Sequence, residues 1–74
     1  VGAADIPLGL LEAKLDRIGT ALERAGKSGA PRDLRRLEDR YFDLSSRVGG
    51  RPGTTVRAEL AIALFKLEQS ALRL

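Results

Sequence analysis

The apolar residues in the first two thirds of this chain recur at alternating intervals of three and four. The first series is Leu8, Leu11, Leu15, Ile18, Leu22 and Ala25, and the second is Leu34, Leu37, Tyr41, Leu44 and Val48. This spacing places each series on one face of a helix and is typical of a bundle seam. We therefore predict helices over residues 6–25 and 31–48, each with one apolar face.

Proline and glycine residues set the expected ends of these helices. Asp5 followed by Pro7 is typical of a helix start, because an N-cap carboxylate accepts backbone N–H bonds and proline is tolerated in the first turn. Gly26 is expected to end the first helix in a left-handed conformation, and Pro31 to open the second. Residues 49–54 contain three glycines and a proline, which predicts a sharp turn or a hinge.

A third helix is predicted over residues 55–74, capped by Thr54 or Thr55, and it is apolar on two opposite sides. One stripe consists of Val56, Leu60, Leu64, Leu67, Ala71 and Leu74. The other side of the helix carries Ala58, Ile62, Phe65 and Leu72. A helix of a compact three-helix bundle needs only one broad apolar face. The second stripe is therefore either buried between the first two helices or buried against a partner chain.

These patterns predict an all-α protein with one small domain over residues 1–74, in which residues 1–4 form a flexible leader. The two architectures within this class are a three-helix bundle and a helical hairpin with a third helix that is completed by oligomerisation. A core of this size supplies only about 3–5 kcal/mol of net stability. The chain has no Cys for disulfides and no His for metal binding, so helix packing or oligomerisation must stabilise it.

Basic residues are concentrated in the middle of the chain, where a row on the second helix consists of Arg32, Arg35, Arg36 and Arg40. Such a row is one means of binding the phosphates of nucleic acid. Acidic residues are interleaved with it, and Asp43 to Arg47 and Glu23 to Lys27 are spaced for ion pairs. The net charge is only +3 and three residues are aromatic, which leaves little for base stacking. The sequence favours an ion-paired, solvated face over nucleic-acid binding.

No catalytic or cofactor motif is present. The hydroxyl residues lack a His or Cys beside them, because the chain contains neither, and the candidate bases are carboxylates and lysines on solvated faces. Gly26, Lys27 and Ser28 match the end of a phosphate-binding loop, but Ala21 stands where that motif requires its first glycine. We therefore expect no enzyme activity, cofactor or metal.

No stretch approaches the roughly 18 uninterrupted apolar residues of a membrane span. Lys66 and Glu68 interrupt the most apolar segment. The expectation is a soluble protein, with the cytoplasm slightly favoured and the compartment otherwise open.

The segment from Asp5 to Arg47 consists of a helix, a Gly-rich turn and a helix opened by proline, and it resembles two families. One comprises the terminal docking domains of modular polyketide synthases, and the other the small helical co-chaperones of bacterial type III secretion. Both families bind other proteins through helices, so both resemblances imply a docking function. Neither includes the third helix or a diagnostic motif, and the chain is assigned to neither family.

The sequence thus favours a non-enzymatic protein–protein interaction module: a docking, adaptor or assembly domain. Its predicted binding stripe is Ala58, Ile62, Phe65 and Leu72, with Phe42 as an outlying anchor and Arg35, Arg36 and Arg40 as rim charges. The partner is another protein or a second copy of the chain. Two alternatives stay open. One is a small nucleic-acid-binding domain that uses the arginine row, and the other is a structural piece of a larger protein, which the lack of a Met at position 1 suggests.

Overall fold

The computed structural model describes residues 5–74, which form three helices. α1 spans Leu8–Lys27, α2 spans Leu34–Gly49 and α3 spans Thr54–Leu72. Every helix contacts both of the others. The all-α prediction is confirmed, and the observed architecture is the three-helix bundle. The predicted leader, residues 1–4, lies outside the described residues.

The short connections make neighbouring helices antiparallel. Gly19 of α1 lies against Tyr41 of α2, and Gly26 lies against Leu34, so residue numbers fall along α2 as they rise along α1. α1 and α3 consequently run in the same direction, with Lys14 contacting Glu68 across their shared seam. The bundle is elongated, with principal extents of 46 × 21 × 16 Å.

The core is formed by the predicted seams, with Leu11, Ile18 and Leu64 the most deeply buried large side chains. The other buried apolar residues are Leu15, Leu22, Ala25, Leu34, Leu37, Leu44, Val48, Leu60, Leu67 and Ala71. Val56 and Leu74, the outer members of the α3 seam, are exposed. Val56 lies in the first turn of α3, and Leu74 lies two residues beyond its last residue, Leu72.

The predicted caps are wrong. α1 begins at Leu8, with Pro7 as its N-cap residue, and α3 begins at Thr54 after Gly53; neither N-cap makes a side-chain hydrogen bond. Because a residue before proline is disfavoured in the helical conformation, Ile6 cannot readily extend α1 back to Asp5. The second helix also starts later than predicted, because a turn closed by the Leu34 N–H and the Pro31 carbonyl (3.0 Å) precedes it.

The chain reverses direction within the two predicted connections, but Gly26 is not the left-handed residue that was predicted after α1. α1 continues past Gly26 to Lys27, and left-handed backbone occurs instead at Gly29 (φ 130°) and Ala30 (φ 51°). The Ala30 N–H donates to the Ala25 carbonyl at 3.1 Å, which ties this connection to the end of α1. In the second connection the left-handed residue is Arg51 (φ 55°), not one of its glycines.

Candidate protein-binding surface

The second apolar stripe of α3 is exposed. Ile62, Phe65 and Leu72 keep 61%, 55% and 67% of their surface accessible, and Ala58 is also exposed. The helical repeat places these four residues opposite the buried side of α3. The interpretation in which α3 lies between the other helices and buries both stripes is therefore wrong, because α1 and α2 also contact each other and α3 meets them with one side only.

An ion pair borders this stripe where α3 meets α1. Glu68 is only 8% exposed, and its carboxylate accepts a hydrogen bond from the Lys14 ammonium at 2.5 Å. Arg17 lies 4.0 Å from the other carboxylate oxygen. The same ammonium lies 5.7 Å from the centroid of the Phe65 ring, within the range of a cation–π interaction. Lys14 thus contacts both the buried carboxylate and the exposed aromatic ring.

Sequence reasoning missed the roles of Lys14 and Glu68. Glu68 follows Leu67 and lies one turn after Leu64, both of which are buried. This position at the edge of the apolar seam was a signal that its carboxylate is partly buried and needs a partner. The identity of that partner on α1 depends on how the two helices pack, which the spacing within α3 does not specify.

Two adjoining grooves follow the seam between α1 and α3 and share Ala21, Arg24 and Leu72. The larger has a volume of about 420 Å³, and the smaller, of about 280 Å³, continues to the ends of both helices. The larger groove is lined by Asp16, Arg17, Thr20, Ala21, Arg24, Glu68 and Leu72. The exposed stripe therefore ends beside a concave surface with an apolar wall.

Phe42 lies on a different face from the α3 stripe. It is 66% exposed, and its ring packs edge-on against Tyr41 with 5.5 Å between centroids. Tyr41 contacts Gly19, on the side of α1 that faces α2, whereas Phe65 lies beside Lys14, on the side that faces α3. The structure does not bring Phe42 together with the predicted binding stripe.

The three predicted rim arginines also separate. Arg36 and Arg40 line a groove between α2 and α3 together with Lys66. Arg35 precedes Phe42 by two turns, and its side chain is exposed on the outer side of α2. Arg35 and Arg36 lie 3.9 and 3.8 Å from carboxylate oxygens of Asp39 and Asp33. The predicted pairs Asp43–Arg47 (3.4 Å) and Glu23–Lys27 (3.9 Å) are confirmed. These exposed pairs fit an ion-paired, solvated face.

Residues 5–74 contain no group of three or more His, Cys, Asp or Glu side chains placed to hold a metal ion. None of the helices in this part of the chain is sufficiently long and apolar to cross a membrane. No protein-family model, curated protein or solved structure matches the chain.

Proposed function

We propose that this protein is a non-enzymatic protein–protein interaction module, of the docking, adaptor or assembly type, that buries the exposed stripe of α3 against a partner chain. The observation that supports this proposal is the exposure of Ile62, Phe65 and Leu72 on one helix whose opposite side already completes the core. Large apolar side chains that are exposed together on one face of a helix are typical of interaction sites. A partner helix that packs on this side would contact them at helical spacing.

The stripe is not needed to hold the bundle together. Leu60, Leu64 and Leu67 on the other side of α3 are each at most 3% exposed. Replacing an exposed side chain away from special features changes stability by about 0.5 kcal/mol or less. Ile62→Asp and Phe65→Asp should therefore leave a folded protein that no longer binds its partner.

Photo-crosslinking in the native cells tests this proposal. A photoreactive phenylalanine analogue at position 65 is expected to give one adduct of defined size, and Ile62→Asp in the same chain should abolish it. Position 42 is the matched control, since Phe42 is also a well-exposed aromatic residue but lies on the other face. The proposal fails if position 65 yields no adduct, if position 42 yields the same one, or if circular dichroism shows that Ile62→Asp unfolds the chain.

A second candidate function is nucleic-acid binding, which one observation favours: Arg36, Arg40 and Lys66 line the same groove. Its support is weaker, because Arg36 is already paired with Asp33. Phosphate contacts release counterions, so such binding would weaken steeply as salt rises. A gel-shift series with no retention at low salt eliminates this candidate.

A further inference from the structure

The positive charge around the exposed stripe is concentrated beside its C-terminal half, from Phe65 to Leu72. Arg17 and Arg24 lie on the α1 side, where both line the groove that Leu72 also borders. Lys66 lines the groove between α3 and α2, and Arg73 directly follows the last residue of α3, about two turns further along. The apolar surface is thus flanked by guanidinium and ammonium groups on both sides.

The acidic groups of this surface do not cancel its positive charge. The acidic residues that line the groove are Asp16 and Glu68. Glu68 is paired with Lys14 at 2.5 Å and lies 4.0 Å from Arg17, so these two acidic residues face five basic ones: Lys14, Arg17, Arg24, Lys66 and Arg73. Glu59 lies beside the N-terminal half of the stripe, two turns before Lys66. The half from Phe65 to Leu72 therefore presents a net positive border to an incoming partner.

The surface beside Leu72 is a shallow groove that can take an apolar side chain. The groove beside Leu72 has a volume of about 420 Å³, and the small side chain of Ala21 forms part of its wall. An apolar side chain that projects from a helix can enter it, as in helix-in-groove recognition.

The charge also argues against a second copy of this chain on the same surface. Two copies that meet face to face through this half of α3 would bring Lys66 and Arg73 of each copy near the same residues of the other. Like charges brought together in this way disfavour association. An acidic partner has the complementary charge.

We propose that the half of the stripe from Phe65 to Leu72 binds an acidic amphipathic helix of a partner protein. An apolar side chain of that helix fills the groove beside Leu72, and its carboxylates meet Arg17, Arg24, Lys66 and Arg73. This inference rests on the proposed function and specifies the chemical class of the partner.

The test uses two fluorescently labelled amphipathic helical peptides as probes. Both carry the same stripe of Leu and Phe, which is bordered by Glu in one peptide and by Lys in the other. Fluorescence anisotropy is expected to show that the wild-type chain binds the Glu peptide about tenfold more tightly than the Lys peptide. Raising the salt concentration should reduce this preference, because the border charges are exposed to solvent.

Charge-reversal variants show which basic residues produce the preference for the Glu peptide. Arg24→Glu with Lys66→Glu is expected to remove or invert it. Arg47→Glu with Arg51→Glu changes the net charge equally but near the N-terminal end of α3, away from the half from Phe65 to Leu72, and should preserve it. This inference is overturned if the chain binds both peptides equally or binds neither. It is also overturned if the chain binds phosphatidylserine vesicles more tightly than the Glu peptide, or if light scattering shows a dimer that Phe65→Asp dissociates. If the peptides bind equally and Phe65→Asp weakens both, the proposed function stands while the acidic partner is rejected. If Phe65→Asp changes neither affinity, the proposed function fails as well.

Discussion

At the scale of single residues, Glu68 shows how a charged group is accommodated at the edge of an apolar seam. Taking a carboxylate out of water is unfavourable unless a counter-charge and hydrogen bonds compensate for the lost hydration. Lys14 provides both, and its own side chain is 24% exposed while that of Glu68 is 10% exposed. The ion pair is therefore partly buried. Glu68, the more buried partner, depends more on Lys14 than Lys14 depends on Glu68.

Removing Lys14 should destabilise the protein more than the loss of an exposed charge does. Lys14→Met leaves the Glu68 carboxylate without its 2.5 Å donor, and we expect the free energy of unfolding to fall by about 1–3 kcal/mol. Urea denaturation followed by far-UV circular dichroism measures this change. Arg17→Met is the control, because Arg17 is 70% exposed and 4.0 Å from the carboxylate, and its effect should be about 0.5 kcal/mol or less.

A double variant separates the stability that depends on the ion pair from the contributions of Lys14 and Glu68 individually. Lys14→Met with Glu68→Leu removes both charges and keeps apolar volume at the seam, and it should recover most of the stability that Lys14→Met loses. Wild-type stability of the single Lys14→Met variant would show that the ion pair contributes nothing to the fold.

At the scale of helices, the contact between α1 and α2 depends on the absence of a side chain at Gly19. A Cβ built there would lie 2.9 Å from the hydroxyl oxygen of Tyr41 and 3.3 Å from its Cζ. Gly9, earlier in the same helix, has open space where its Cβ would stand. Gly9 and Gly19 thus both lie within α1 but have different neighbours.

Alanine at these two positions should have different effects. Glycine within a helix costs roughly 0.5–1 kcal/mol relative to alanine, so Gly9→Ala is expected to raise the free energy of unfolding by about 0.5 kcal/mol. Gly19→Ala should gain nothing or lose stability in the wild-type background, because Tyr41 must move. In a Tyr41→Phe background, part of the gain should appear.

Thermal denaturation of the four combinations at positions 19 and 41 measures the coupling between them. Equal gains from Gly19→Ala with and without the tyrosine hydroxyl would contradict the tight contact between α1 and α2.

The sequence predicted the number and faces of the helices because the seam of each helix is recorded in its own spacing. Leu60, Leu64 and Leu67 were assigned to the core in this way and are buried. The Lys14–Glu68 pair and the separate face of Phe42 could not be predicted, since both depend on how the helices are rotated and aligned relative to each other. The starts of the helices were misplaced because proline geometry and backbone turns, not side-chain caps, determine them here.

At the scale of the whole molecule, the three helices are mutually dependent, since each contacts the other two. α3 contributes Leu60, Leu64, Leu67 and Ala71 to the core. Without these side chains the apolar faces of α1 and α2 would be exposed to water, and most of a helix's stability in a protein comes from the packing of its apolar face. The fold is therefore expected to form as one cooperative unit.

Truncation after Gly53 tests this cooperativity. The fragment of residues 1–53 is expected to lose the sigmoidal thermal transition in far-UV circular dichroism, because an apolar face of each remaining helix is uncovered. Addition of a peptide of residues 54–74 should restore helicity beyond the sum of the two parts. A cooperative transition in the fragment alone would show that the hairpin is the folding unit and α3 an appended helix.

The position of Tyr41 also gives the protein a built-in spectroscopic reporter. It is the only tyrosine, and the chain has no tryptophan. Intrinsic tyrosine fluorescence therefore reports on the seam between α1 and α2. Unfolding separates Tyr41 from Gly19 and changes this fluorescence. A ligand that has no aromatic residues and binds α3 leaves the surroundings of Tyr41 intact. A titration that follows both the tyrosine fluorescence and a label on the ligand therefore distinguishes binding to α3 from unfolding in a single sample.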